Sequence, residues 1–392
     1  MAEMNLTVEA CLPDDRQQAT LVGRIWRPDV DGPSVVAVRG DSVVDITAVV
    51  PTVSELMARN DAVAVVRDAP GETVGALAEI LANSAHDRRD PKLPWFLVPV
   101  DLQAIKACGV TFAESMLERV IEEKAKGDPS AADAIRREIV GQIGLDLSKI
   151  VPGSDEAMQL KKALVERGMW SQYLEVGIGP DAEVFTKAPP MAGVGIGAEV
   201  GLHAISDWNN PEPEIVLVIA PDGRIVGATL GNDVNLRDVE GRSALLLGKA
   251  KDNNGSAALG PFLRLFDDHF GIDDVRLAEL DLTVAGQDGF VLKGRSSMSR
   301  ISRDVADLAA HAIGPHHQYP DGLVLMTGTL FAPTEDRGAP GEGFTHKMGD
   351  VVTIHSARLG ALVNRVDRSD AIPPWTFGAG ALMRNLSARG LI

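Results

Sequence analysis

Polar and apolar positions alternate most regularly over residues 211–237, PEPEIVLVIAPDGRIVGATLGNDVNLR. Glu212, Glu214, Val216, Val218 and Ala220 alternate with Ile215, Leu217 and Ile219, the two-residue period of a strand. Pro221-Asp222-Gly223-Arg224 carries turn residues. Ile225–Asp233 then reads as a second strand with Thr229, Gly231 and Asp233 on one face, so the pattern predicts a hairpin. With a four-residue loop, Ala220 faces Ile225, Glu212 faces Asp233 and Glu214 faces Gly231. A three-residue loop would turn Asp233 to the opposite face unless a bulge near Gly231 restores it.

Elsewhere the pattern changes along the chain. In residues 1–100, segments 19–26, 34–38 and 43–46 are strand-like with a turn at Gly40-Asp41, and 54–59 and 73–83 are helix-like. The Pro-rich stretch 91–100 marks a boundary. Over 111–168 apolar residues take helical spacing. Leu117, Val120, Ile121 and Ala125 predict one helix stopped by Gly127-Asp128-Pro129, with Glu118, Glu122 and Glu123 on a solvated face. Ser130 would cap a second helix through Ile135, Ile139 and Ile143 to Gly144, and Ser154 a third that closes at Gly168. After Trp170 the chain is glycine-rich and turn-dense, as in a β roll or barrel. The expected class is α+β: a small β-rich domain at 1–100, and a mainly β domain at 101–392 with a helical lid or flank at about 111–168.

Composition narrows the function. The 392 residues include 38 basic and 55 acidic side chains, a net charge of −17, which disfavours nucleic-acid and membrane partners that need a basic face. Cys11 and Cys108 are too few for a disulfide framework, and no Cys/His spacing suits zinc. The opening residues lack the features of a signal peptide and no apolar run is long enough to span a bilayer, so a cytoplasmic protein is expected. The glycine run 193–197 hints at a phosphate loop, but no helix pattern follows it. His316-His317 precede a turn and read as solvated loop residues.

The hairpin carries the candidate chemistry. Opposed residues of two strands hold their Cβ atoms roughly 4.5–5.5 Å apart, so Glu212, Glu214 and Asp233 converge. Two such charges about 5 Å apart repel by roughly 3 kcal/mol at an effective dielectric near 20. A hard divalent cation with oxygen ligands would neutralise them; an acidic, solvated hairpin end is the plainer alternative.

Around these residues the sequence resembles the fumarylacetoacetate hydrolase superfamily over most of 105–366. The resemblance rests on Glu212-Pro213-Glu214, residues 232–238, Gly248-Lys249, Phe185-Thr186-Lys187, Thr327-Gly328-Thr329 and Gly349-Asp350-Val351-Val352, in that family's motifs. It implies the fumarylacetoacetate hydrolase type of fold and Mg²⁺ on Glu212, Glu214 and Asp233, with Mn²⁺ or Ca²⁺ as substitutes. Residues 108–115, CGVTFAES, are similar to the sugar-acid dehydratase branch, as in bacterial 2-keto-3-deoxy-D-xylonate dehydratases of oxidative pentose degradation. Hydrolytic members carry a histidine upstream of the acidic pair, and here none lies between His86 and His203.

The resemblance implies a lyase that converts a small 2-keto acid, 2-keto-3-deoxy-D-pentonate, to 2,5-dioxopentanoate without a redox cofactor. In that reading Lys249 and Glu183 are the acid–base pair, in either order. Lys187 and Arg237 position carboxylates, Thr329 with Gly328 holds the substrate carboxylate, and Ser115 meets the distal hydroxyls. Membership also points to homodimers or higher homo-oligomers. Two alternatives stay open: metal-dependent carbon–carbon hydrolysis of an acylpyruvate or 2,4-diketo sugar acid, and a non-catalytic calcium-stabilised β protein.

Overall fold

The structure, a computed structural model, describes residues 3–126, 128, 135, 150–166, 168, 170–329, 331, 333, 335–337 and 343–392. At 114, 115, 117 and 122 only the helical backbone is described. The strands of the first half are β1 (Leu21–Arg27), β2 (Gly32–Arg39), β3 (Ser42–Asp45), β4 (Glu72–Ala76), β5 (Trp95–Phe96), β6 (Ala104–Gly109), β7 (Glu183–Ala188) and β8 (Glu199–Leu202). There follow β9 (Asn209–Asn210), β10 (Pro213–Ile219), β11 (Ile225–Asp233), β12 (Asn235–Leu236), β13 (Ala257–Leu265), β14 (Glu279–Ala285), β15 (Val291–Ser297), β16 (Leu323–Met326), β17 (Val351–Ser356) and β18 (Gly360–Arg368).

An eleven-stranded sheet runs β4-β3-β2-β1-β13-β11-β10-β16-β6-β7, with β5 paired to β1. A five-stranded sheet runs β15-β14-β17-β18-β8, and β12 pairs with β9. Antiparallel pairing dominates, while β16 with β6 and β18 with β8 are parallel. The N-terminal strands join the later ones through β1 and β13, where Leu21 pairs with Arg264 and Val22 with Leu263.

The large sheet is covered on both faces, which explains why β10 is apolar at every position after Glu214. Ile215, Leu217 and Ile219 enter a core shared with Leu280, Leu282, Ile354 and Leu362 of the second sheet. Val216 and Val218 point the other way, into a core completed by Val53, Leu56, Met57, Val65 and Val66 from the helices Val53–Ala58 and Ala62–Asp68. Each fully buried aliphatic side chain contributes about 1.5–3 kcal/mol, so this strand is held firmly between two cores.

Most predicted elements form. The segment 73–83 is corrected: it splits into β4 and a helix over Leu77–Asn83. Ala76, extended at ψ 136, ends the strand, and the β-branched Thr73 and Val74 before it suit β-structure. The first predicted helix of the 111–168 region covers Ala113–Ala125, and the third covers Asp155–Glu166. Ser154 Oγ accepts from Ala157 N–H at 3.2 Å, and Gly168 lies left-handed at φ 65. The helix predicted from Ser130 to Gly144 lies outside the described residues. A further helix, Gln172–Ile178, is capped by Ser171. These three helices share a separate small core with Trp208. The glycine run 193–197 is a close-packing device. A Cβ at Gly195 would sit 2.4 Å from Leu97 backbone, and one at Gly197 2.4 Å from Ser84 O.

Candidate metal centre

The β10–β11 hairpin brings the acidic residues together by cancelling two irregularities. Ala220 N–H donates to Arg224 O at 2.9 Å, which closes a three-residue loop and pairs Ile219 with Ile225. Val218 nevertheless pairs with Gly227, so Val226 is an extra residue in β11. This bulge, near the turn rather than near Gly231, restores the register. Pro213 then faces Asn232, Glu214 faces Gly231, and Asp233 N–H donates to Glu212 O at 3.0 Å. The space over Gly231 is not open, because a Cβ there would meet Val216 Cγ2 at 2.6 Å and Met326 Cε at 3.2 Å.

Glu212, Glu214 and Asp233 each offer a carboxylate oxygen, and the three oxygens lie within 4.8 Å of one another. All three residues are at most 4% exposed, which rules out the solvated hairpin end. Buried basic groups surround two of them. Lys251 Nζ lies 2.5 Å from Glu212 Oε2 and 3.2 Å from Asp233 Oδ2. Lys187 Nζ lies 2.8 Å from Asp233 Oδ1 and donates to the carbonyls of Val234 and Lys251. Arg119, on the helix Ala113–Ala125, reaches Glu212 Oε1 at 2.6 Å and Glu240 Oε2 at 2.8 Å.

Proton affinities follow from this geometry. Burial pushes the Asp233 carboxyl up, but Lys187 and Lys251 outweigh it and hold it below the usual value. Burial disfavours the Lys251 ammonium, yet the charges of Asp233 and Glu212 raise its pKa above that of an ordinary lysine. Lys187 is lowered by burial. Glu214 differs from its neighbours. Its Oε2 accepts from Gly328 N–H at 2.6 Å, and among the described residues no basic side chain pairs with it. Burial, then the charges of Asp233 and Glu212, push its carboxyl well above the normal range.

This donor set fits a hard divalent cation: three buried carboxylates converge, and Glu214 lacks a positive partner of its own among the described residues. The alternative way to relieve Glu214 is to keep it protonated, and a bound cation would remove that need.

Other expected site residues fall in different places. Lys249 is exposed, whereas Lys251, two residues later, enters the cluster. Both sit on the short helix Leu247–Lys251, where residues two apart point to opposite sides. Glu183, at the start of β7, is half-exposed as a residue, but burial followed by the charge of Glu240 raises its carboxyl to about 7. Arg237 is buried, with its guanidinium 4.2 Å from the Trp208 ring centre and 3.4 Å from Glu118 Oε2. Glu118 therefore faces inward rather than to solvent. The Gly328 N–H is engaged by Glu214, and Thr329 Oγ1 accepts from Phe331 N–H at 3.1 Å. The Ser115 side chain lies outside the described residues. His316 and His317 are exposed. Arg119, Glu240 and Lys251 were not anticipated; a cation near the carboxylates is demanded by their charge, but its sequence position is set by distant packing.

Known proteins agree with this architecture. The Fumarylacetoacetate (FAA) hydrolase C-terminal family profile matches residues 166–367, just over half of the chain. The chain belongs to the fumarylacetoacetate hydrolase family. Within known members it is 29% identical over 186 residues to a 2-dehydro-3-deoxy-D-arabinonate dehydratase of Saccharolobus solfataricus, and 30% identical over 201 residues to a probable 2-keto-3-deoxyxylonate dehydratase of Haloferax volcanii. These matches take in 47% and 51% of this chain and 59% and 65% of the relatives, less than two thirds of either. A solved 2-keto-3-deoxy-D-arabinonate dehydratase without ligands superimposes with a TM-score of 0.60 at 19% identity, covering 89% of this chain and 99% of that one. The same enzyme complexed with magnesium and 2,5-dioxopentanoate gives 0.59 at 18% identity over the same shares. At these identities the likeness establishes the shared fold. Among the described residues no helix is long and apolar enough to cross a membrane.

Proposed function

We propose that this family member is a Mg²⁺-dependent hydro-lyase that dehydrates a 2-keto-3-deoxy-D-pentonate, derived from D-xylonate or D-arabinonate, to 2,5-dioxopentanoate. The observation that carries the reading is the convergence of Glu212, Glu214 and Asp233 in a buried cluster near Glu183, whose carboxyl is raised to about 7 by burial and then by the charge of Glu240. The names of the two partial relatives supply the substrate class.

Glu212, Glu214 and Asp233 would hold the ion, which supplies Lewis-acid polarisation of the 2-keto group and so acidifies the C3 protons. The remaining work falls to side chains. Water loss takes a proton from C3 and the hydroxyl from C4. The product of that loss still carries a C5 hydroxymethyl group and a C3–C4 double bond, so a proton shift from C5 to C3 gives the C4–C5 enol, and transfer of the enol hydroxyl proton to C4 then gives the aldehyde. A group that both accepts and gives protons near pH 7 suits these steps. Glu183 has that property, with a pKa of about 7. Lys251 keeps its proton between Glu212 and Asp233 and acts as a fixed cation or a donor, not as a base. Lys187 holds Asp233, and the Gly328 N–H holds Glu214, so both orient ligands rather than substrate. A homodimer, expected from family membership, is checked by sedimentation.

The test incubates the protein and Mg²⁺ with 2-keto-3-deoxy-D-pentonate and an NAD-dependent semialdehyde dehydrogenase. Metal-dependent NADH formation is expected. Its absence, with pyruvate released from a 2,4-diketo acid instead, would replace the dehydratase by the carbon–carbon hydrolase.

A further inference from the structure

A cavity of about 360 Å³ opens between the N-terminal strands and the C-terminal segment, and its lining shares no residue with the acidic cluster or its basic partners. That volume lies within the usual range of small-molecule sites. Its walls hold three of the five tryptophans of the chain. Trp26 and Trp95, neighbours across the β1–β5 pair, stack at 5.9 Å between ring centres, and Phe377 meets Trp26 edge-on at 5.2 Å. Trp375, 47% exposed, stands on the C-terminal side. Backbone of Gly193–Gly195 completes the lining, so the glycine run that failed as a phosphate loop still borders a cavity.

The charged side chains lining this cavity, Arg24 and Arg89, are of one sign. Arg24 is satisfied, donating to the carbonyls of Val98 and Val100 with Asp101 at 3.7 Å. Arg89 is not. Its guanidinium lies 4.9 Å from the Trp95 ring centre, its Nη2 donates to Ser84 O, and its Nε is buried without an acceptor. Three other arginines, Arg264, Arg337 and Arg365, also bury an Nε in this way, and each carries a carboxylate on its guanidinium. Among the described residues Arg89 pairs with none, in a chain with 55 acidic side chains. Burial alone lowers its pKa to about 10, with no nearby acid to offset the effect. Arg89 is half-buried, and a partly desolvated guanidinium without a counter-charge is unfavourable, while its planar fork matches a carboxylate.

We propose that the cavity is a binding site for a flat aromatic carboxylate, whose ring lies against the Trp26, Trp95 and Trp375 walls and whose anionic group meets Arg89. Neither the acidic cluster nor the assigned reaction enters this argument, so the two succeed or fail separately.

The test is calorimetric titration of the full chain with 1-naphthoate, using the uncharged 1-naphthamide as comparator. Saturable binding of 1-naphthoate with a Kd below about 1 mM is expected, with the amide at least about tenfold weaker. Arg89→Gln should weaken naphthoate at least about tenfold while leaving the amide unchanged. Should Arg89→Gln fail to fold, Trp375→Ala at an exposed position should lower the affinity for both probes several-fold. Equal affinity for acid and amide, full binding by Arg89→Gln, or no effect of Trp375→Ala would each overturn the proposal.

Discussion

Lys251 Nζ stands 2.5 Å from Glu212 Oε2 in a fully buried pair, while Lys249, one side of the same short helix away, faces solvent. Removing one partner of a buried pair strands the other charge, at a cost of about 3–5 kcal/mol. Lys251→Met should therefore destabilise by that order in denaturant melts without metal, and by less when Mg²⁺ supplies the missing charge. Lys249→Ala should stay within about 0.5 kcal/mol. Similar losses for the two variants would mean that the pairing is wrong.

Metal binding should strengthen as pH rises. The raised Glu214 carboxyl keeps its proton in the metal-free protein, whereas a ligand must give it up. Its own contribution to metal-free stability is complete below the unfolded carboxylate value, about 4.3, and is lost as pH rises through the higher folded one. The gain in Tm on adding Mg²⁺ should then be larger at pH 8.5 than at pH 6. Glu214→Gln should remove most of the gain at both. A gain independent of pH would contradict a protonated Glu214.

Glu183, with a pKa raised to about 7, should place a limb near neutrality in the pH profile of kcat/KM. Glu183→Gln should lower kcat by about 10²–10⁴ while preserving the Tm gain from Mg²⁺. Loss of that gain would make the residue part of the metal site instead.

Gly328 has φ 92, and a Cβ there would lie 2.0 Å from Thr111 Oγ1. Gly328→Ala strains the backbone by about 1–3 kcal/mol and displaces the N–H that meets Glu214. The expected result is weaker Mg²⁺ binding by calorimetry, together with a lower Tm. Unchanged metal affinity would show that this N–H does not position the carboxylate.

The acidic triad was legible because strand periodicity is local and a two-residue alternation fixes which side chains share a face. The register argument reached the right pairing of Glu212 and Asp233, although the loop has three residues and the compensating bulge lies at Val226. The choice between Lys249 and Lys251 was not legible, since both follow Gly248 and only the docking of a five-residue helix decides which turns inward. Glu118 was read as part of a solvated helix face and Arg119 was not singled out, yet they meet Arg237, Glu212 and Glu240 from more than ninety positions away in sequence. Periodicity within the helix carries no information about such partners. The split of 73–83 into strand and helix was hidden for a related reason: β4 forms by pairing with β3, a tertiary requirement.

Because β1 completes β13, and β13 flanks the strand that carries Asp233, the first hundred residues are not an appendage that could be trimmed away. Cutting them off would bare the Leu263–Arg264 edge of β13, one strand from the acidic hairpin, and such edges recruit other chains. Truncated protein should therefore clump rather than survive as a smaller folded unit, which ties the inheritance of both halves together.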